Sequence, residues 1–114
     1  NHFLEALALK QPGEAIAIFH KAVGQGVQPQ VFIMLAMAKV RAALLLRFAP
    51  KQEAAIAEQF GSDDMQYLKE LAGAKGAAIN AEVLAQLISS YVETARAPLP
   101  EVPLELALYK LFVN

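Results

Sequence analysis

The stretch from Val31 to Phe48 is the longest predominantly apolar part of the chain, and neither proline nor glycine interrupts it. As a helix it would be about 27 Å long, close to the diameter of a small domain. A membrane-spanning helix is the alternative, but Lys39, Arg41 and Arg47 would each cost roughly 2.5–3.5 kcal/mol near the centre of a bilayer. The stretch therefore predicts a central core helix on which the other elements pack.

A helical projection divides this central helix into two unequal faces. A narrow stripe holds Ala36, Lys39, Ala43 and Arg47, and a broad apolar arc lies opposite to it. The residues of the predicted arc are Ile33, Met34, Met37, Val40, Leu44, Leu45 and Phe48. Arg41 falls inside this arc. An unpaired buried charge is too costly to keep, so Arg41 needs either a carboxylate partner or a path to water along its own aliphatic stem.

The composition is that of one globular domain, residues 1–114. The chain is 56% hydrophobic and 18% charged, which provides enough apolar side chains for a core, and it contains no cysteine. The absence of cysteine removes disulfides and thiolate metal sites, and it favours an intracellular setting. The net charge of -1 gives no basic surface for phosphates, so neither tight DNA binding nor any other direct nucleic-acid contact is expected.

Turn and capping signals divide the rest of the chain into further helices. They are predicted over 3–10, 14–23, 51–60, 63–72, 81–95 and 103–111. Ser62 and Asn80 are predicted N-caps, and a glycine of Gly24-Gln25-Gly26 is expected in the left-handed conformation. The prolines of the 97–103 segment predict a rigid, extended connector. No stretch alternates with period two, so the fold class is all-α, a compact bundle of about five to seven helices around the central one.

No catalytic or metal-binding constellation is evident. His2 and His20 lack the acid and hydroxyl partners of a triad, and surface positions are expected for both. Asp63 and Asp64 suit the first turn of a helix better than a cation site, which needs several more oxygen ligands. No Gly-rich loop followed by Lys-Ser/Thr is present, so ATP binding and hydrolysis are not expected. No cofactor, metal or small-molecule substrate is predicted.

The end of the chain resembles a known signature. Residues 98–108, Pro-Leu-Pro-Glu-Val-Pro-Leu-Glu-Leu-Ala-Leu, are similar to the Pro-x-Leu-Pro-Leu-Glu-Leu-Ala stretch of the third domain of the bacterial DNA polymerase III gamma/tau clamp-loader subunit. Tyr91 matches that family's aromatic residue on the preceding helix. The segments 3–7, 14–16 and 41–46, the last with an Arg-x-x-Leu-Leu pattern, resemble the opening of the same domain.

The resemblance implies a helical collar domain that holds clamp-loader subunits together while sliding clamps are loaded during DNA replication. It implies a cytoplasmic protein whose partners are other loader subunits, with ATPase motifs in domains outside this piece, and no membrane association is expected. The chain begins within a helical pattern, which suggests a fragment of a longer protein. The alternatives are the collar domain of the delta subunit of the same loader and a stand-alone helical adaptor that accepts a partner helix in a groove.

Six residues are predicted to serve structure or an interface. They are Met34, Met37, Arg41, Tyr91, Glu105 and Tyr109. A specific hypothesis joins two of them: if the final helix packs on the central one, Glu105 is the carboxylate that pairs with Arg41, within the domain or across an interface.

Overall fold

A computed structural model describes residues 1–113, and this part of the chain is α-helical without strands. The seven α-helices are α1 (His2–Ala8), α2 (Pro12–Gly24), α3 (Pro29–Phe48), α4 (Glu53–Ala57), α5 (Ser62–Ala72), α6 (Ala81–Thr94) and α7 (Val102–Phe112). Two short 3₁₀ turns, Pro50–Gln52 and Ala74–Gly76, precede α4 and α6. The predicted all-α bundle of five to seven helices is therefore confirmed.

Local signals account for several of the helix ends. The side chain of Asn80 accepts a hydrogen bond of 3.0 Å from the backbone N–H of Val83, as expected of an N-cap. Gly26 follows α2 with a φ of 101°, a conformation that glycine adopts without a steric cost. Ser62 is not the predicted cap, because it is already the first residue of α5 and Gly61 precedes it without a capping side chain.

The long helix α3 is central, as predicted. Helices α5 and α6 pack along it, and α1, α2 and α4 also contact it. The final helix α7 packs instead against α6 and α2. Large side chains that are fully buried come from nearly every helix and form one core: Leu7, Phe19, Ile33, Val40, Leu68, Leu71, Ile79, Val83, Leu87, Leu104 and Leu108. Each contributes about 1.5–3 kcal/mol of burial free energy before the loss of chain entropy is counted.

The face of α3 that enters the core differs from the predicted one. Ala36 and Ala43 are buried, although the projection assigns them to the polar stripe. Met34 and Phe48 belong to the predicted buried arc, but 46% and 77% of their surfaces are exposed. Apolar residues occur on every side of α3, so periodicity alone does not select a face. Alanines on the packed face allow neighbouring helices to approach closely, and this favours the observed orientation.

Arg47 is the second departure from the predicted polar stripe. Its half-buried guanidinium donates hydrogen bonds to four backbone carbonyls, those of Leu71, Ala72, Gly76 and Ile79, at 2.7–3.0 Å. The last carbonyl groups of a helix have no N–H partner within that helix. Arg47 donates hydrogen bonds to those at the end of α5. This residue therefore fastens the end of α5 and the segment between α5 and α6 to α3.

Two predicted segments are folded differently. The segment 51–60 is a 3₁₀ turn followed by the short helix α4, and only its Ile56 is fully buried. The connector before α7 is bent rather than extended, because the N–H of Val102 donates to the carbonyl of Leu99 at 3.0 Å. Pro100 occupies the second position of this turn, where its fixed φ is favourable, and Glu101 follows at φ -78° and ψ -23°.

No helix within residues 1–113 combines the length and the apolar character needed to cross a membrane. Even α3, with its 20 residues, contains three cationic side chains.

Candidate functional site

The outward face of α3 carries a stripe of apolar side chains along the whole helix. We call this surface the α3 stripe; it consists of Val31, Met34, Leu35, Ala38, Arg41, Leu45 and Phe48. All of these residues are exposed except Leu45, which is half-buried. Leu35 exposes 56% of its surface. Because the opposite face already fills the core, the α3 stripe is apolar surface in excess of what folding uses.

The spacing within the α3 stripe is that of a helix-pairing seam. Residues 31, 34, 38, 41, 45 and 48 alternate steps of three and four, which keeps them on one side of the helix for its full length. Side chains with this heptad spacing interlock with those of a second helix. An exposed apolar surface of this extent is typical of a protein interaction site rather than of ordinary solvent-facing surface.

Arg41 is the only charged member of the α3 stripe. Its side chain is exposed, and it belongs to none of the ion pairs formed within residues 1–113. Helix α3 contains Lys39, Arg41 and Arg47 but no acidic residue. The centre of the stripe therefore presents a positive charge that the helix itself does not neutralise.

The predicted pairing of Arg41 with Glu105 within the domain is wrong. Oε2 of Glu105 lies 2.6 Å from Nε2 of His20, which joins α7 to α2. The hypothesis requires the final helix to pack on the central one, whereas α7 contacts α6 and α2. The other version of the hypothesis, a pairing across an interface, stays a prediction. His20 is exposed, as the sequence predicts.

The other predicted interface residues lie in separate places. Met37 on α3 and Tyr91 on α6 are half-buried against the core. Tyr109 is exposed on α7, where 47% of its surface meets solvent. Of the six predicted residues, the structure brings together Met34 and Arg41, which share the α3 stripe. Leu35 and Phe48 are also exposed on this surface. Their exposure is not predicted from the sequence, since Phe48 falls in the predicted buried arc and Leu35 on neither predicted face.

A second apolar feature lies beside the connector. Helices α6 and α7 and the turn between them enclose a groove of about 550 Å³. Its walls include Leu99, Val102 and Leu106, while Ser89 and Lys110 are the polar groups at its edges. We call it the α6–α7 groove. It is open to solvent and mostly apolar, a character that suits a short hydrophobic segment of a partner.

Polar side-chain contacts connect helices of the domain. The Tyr67 hydroxyl on α5 donates to Oε2 of Glu5 on α1 at 2.9 Å, and Nζ of Lys75 lies 3.7 Å from the same oxygen. Burial, followed by the hydrogen bond to Glu5, raises the pKa of Tyr67 well above its ordinary value of 10.0. Within residues 1–113, no three His, Asp or Glu side chains are grouped so that they could hold a metal ion.

The exposed apolar surfaces are thus the candidate functional site of the domain. Its strongest feature is the α3 stripe, followed by the α6–α7 groove. Comparison of the chain with protein-family models, with curated proteins and with solved structures finds no significant match in any of the three.

Proposed function

We propose that this domain is an oligomerisation module of the collar type, which joins subunits of a bacterial DNA polymerase III clamp loader through the α3 stripe. In this role it carries out no catalysis, because ATP hydrolysis belongs to other domains of the gamma/tau subunit. The proposal implies a cytoplasmic protein whose partners are other loader subunits. It also implies that the domain contributes to clamp loading by holding those subunits in place.

The exposed heptad spacing of the α3 stripe is the observation that carries this proposal. A 20-residue helix extends for about 30 Å, so its outer face can contact a partner along many turns of helix. Burying Met34, Leu35 and Phe48 would each contribute on the order of 1–3 kcal/mol, because these side chains are largely exposed in the isolated domain. Such a surface is costly to leave uncovered, and a partner subunit would cover it.

The resemblance supports the more specific part of the proposal. The block at 98–108 forms the turn before α7 and the first seven residues of that helix. Leu104 and Leu108 from this block are fully buried. Leu104 and Leu108 would thus have a packing role here, whereas Leu99 and Leu106 of the same block are exposed and line the α6–α7 groove.

The experiment that tests the proposal measures mass in solution. Light scattering on the chain alone, and on mixtures with purified gamma/tau and delta subunits of a bacterial clamp loader, should show complexes. Met34→Glu places a charge in the α3 stripe and should abolish them. Gln66→Glu adds the same charge at an exposed position of α5 and serves as the matched control. The proposal fails if no complex forms, or if Met34→Glu forms the same complexes as the unmodified chain.

A second function is favoured by the α6–α7 groove. As a stand-alone adaptor, the domain would bind a hydrophobic helix or peptide there, and the α3 stripe would have no role. Leu106 lines the groove and exposes 49% of its surface. Under this alternative, Leu106→Glu should abolish partner binding and Met34→Glu should not. The proposed collar function predicts the opposite sensitivities.

A further inference from the structure

Helix α6 carries a second exposed stripe with a similar spacing. We call it the α6 stripe; it consists of Ala81, Ala85, Ile88 and Val92. Ile88 and Val92 expose 45% and 53% of their surfaces. Steps of four, three and four place these residues on one side of the helix, as in the α3 stripe. The domain therefore has two outward-facing helices that are each suited to pair with another helix.

The charges beside the two stripes are opposite. Helix α3 has cations and no acid, whereas α6 has Glu82 and Glu93 and no cation. Glu93 pairs with Arg96 at 2.9 Å. Glu82 accepts a hydrogen bond of 3.0 Å from the neutral amide of Gln86, so its negative charge is not balanced by that contact. Arg41, a member of the α3 stripe, and Glu82, beside the α6 stripe, thus carry opposite charges and are not paired with each other inside the domain.

We infer that the α3 stripe of one copy docks on the α6 stripe of a second copy, an inference that rests on the proposed collar function. Pairing of two α3 stripes is disfavoured, because it would bring together two copies of Arg41 with no acid on either helix. The pairing of α3 with α6 instead sets a positive face against a negative one. Complementary charge of this kind selects the partner surface and fixes its alignment.

One antiparallel alignment sets the first part of the α3 stripe, residues 31–41, against α6. The axial rise per residue is the same in both helices. Setting Ala38 opposite Ala85 therefore also sets Val31 opposite Val92. The same alignment brings Leu35 level with Ile88, and it brings Arg41 level with Glu82. Ala38 and Ala85 then meet between the apolar Leu35–Ile88 level and the charged Arg41–Glu82 level, and their small side chains let the two helices approach closely.

Disulfide cross-linking tests this contact without interference from native thiols, because the chain contains no cysteine. A Val31→Cys copy mixed with a Val92→Cys copy should form a covalent dimer on mild oxidation. Both positions are exposed, so both variants are expected to fold. Since each copy has one cysteine, every cross-link is between copies. Far less covalent dimer is expected from Val31→Cys alone. Far less is also expected from a mixture of Val31→Cys and Ala81→Cys, a pair of positions that meets only if the two helices are parallel.

Charge reversal provides the second arm of the same experiment. Arg41→Glu in the Val31→Cys copy should lower the yield of covalent dimer by about tenfold, because it sets like charges against each other. Adding Glu82→Arg to the Val92→Cys copy should restore the yield. Equal cross-linking by Val31→Cys alone would show that two α3 stripes meet and would overturn the inference.

The failures of the two proposals are distinguishable. If light scattering shows complexes that Met34→Glu abolishes, but the mixture of Val31→Cys and Val92→Cys yields no covalent dimer, the α3–α6 contact is wrong and the collar function stands. If the light-scattering experiment shows no complexes, the collar function fails and the inference fails with it.

Discussion

The imidazole of His20 on α2 lies 2.6 Å from the carboxylate of Glu105 on α7, and this pair connects the second helix to the last. The contact occupies the carboxylate that the sequence suggests as a partner for Arg41. Arg41 remains on the outer face of α3, on the surface that we assign to a neighbouring subunit. The position of this one side-chain contact thus bears directly on which surface of the domain is available for assembly.

The His20–Glu105 pair should be worth little in stability, since the two side chains are 49% and 22% exposed. Glu105→Ala is expected to lower the free energy of unfolding by at most about 1 kcal/mol. A double-mutant cycle by urea denaturation should find coupling between His20 and Glu105 and none between Arg41 and Glu105 in the isolated domain. A loss of several kcal/mol, or coupling to Arg41, would show that the packing of α7 differs from the one described.

Replacing Arg47 should be far more damaging than replacing Arg41. Arg47→Met removes the donors of four carbonyl groups and should lower the free energy of unfolding by about 2–4 kcal/mol. Arg41→Met is the matched control on the same helix and should change stability by no more than about 0.5 kcal/mol. Chemical denaturation of both variants gives the comparison, and equal effects would contradict the assigned role of Arg47.

The contrast between these two arginines shows what sequence reasoning could and could not supply. The cap at Asn80 and the left-handed Gly26 are predictable because they depend on residues near each other in the chain. The role of Arg47 depends on carbonyls that are 24–32 residues away, and backbone acceptors leave no pattern of residue types. The buried face of α3 is equally hard to predict, since a helix that is apolar all round packs according to its neighbours.

The turn in the connector before α7 could not be predicted either, although the residues that form it are close together in the chain. Three prolines predict restricted φ values at 98–103, and restricted φ is compatible with both an extended chain and a turn. The hydrogen bond from Val102 to Leu99 selects the turn. Burial of Leu104 in the core then fixes the direction in which α7 continues from this turn.

Gly76 should not tolerate a side chain. A Cβ atom at this position would lie 1.8 Å from the carbonyl oxygen of Leu71, so the backbone would have to move. Gly76→Ala is expected to lower the free energy of unfolding by about 2 kcal/mol or more. Gly24→Ala at the end of α2 is the control, because no atom lies within 4 Å of the added Cβ. Thermal unfolding of the two variants measures the difference, and a neutral Gly76→Ala would refute the close approach of Gly76 to α5.

Tyr67 should make stability depend on pH in the alkaline range. Burial and the hydrogen bond to Glu5 raise the pKa of Tyr67, so the folded state keeps the phenol proton that the unfolded chain releases near pH 10.0. The stabilisation is therefore complete below that pH and declines as pH rises above it. Tyr67→Phe should remove this part of the decline, and in an ultraviolet titration it should remove a phenol that ionises above pH 10.0. If the phenol lost from the titration is one that ionises near pH 10.0, the Tyr67–Glu5 contact is contradicted.

The assignment of the α3 stripe as an assembly interface can be tested in the unmodified protein. The chain has three methionines, and their methyl groups give three NMR signals that report on different environments. Met34 lies on the α3 stripe, Met37 is half-buried and Met65 is buried in the core. We expect the Met34 signal to shift or broaden as subunits assemble, while the Met65 signal stays in place. Assembly that leaves the Met34 signal unchanged would contradict the interface, and the α3 stripe would then be no more than exposed surface.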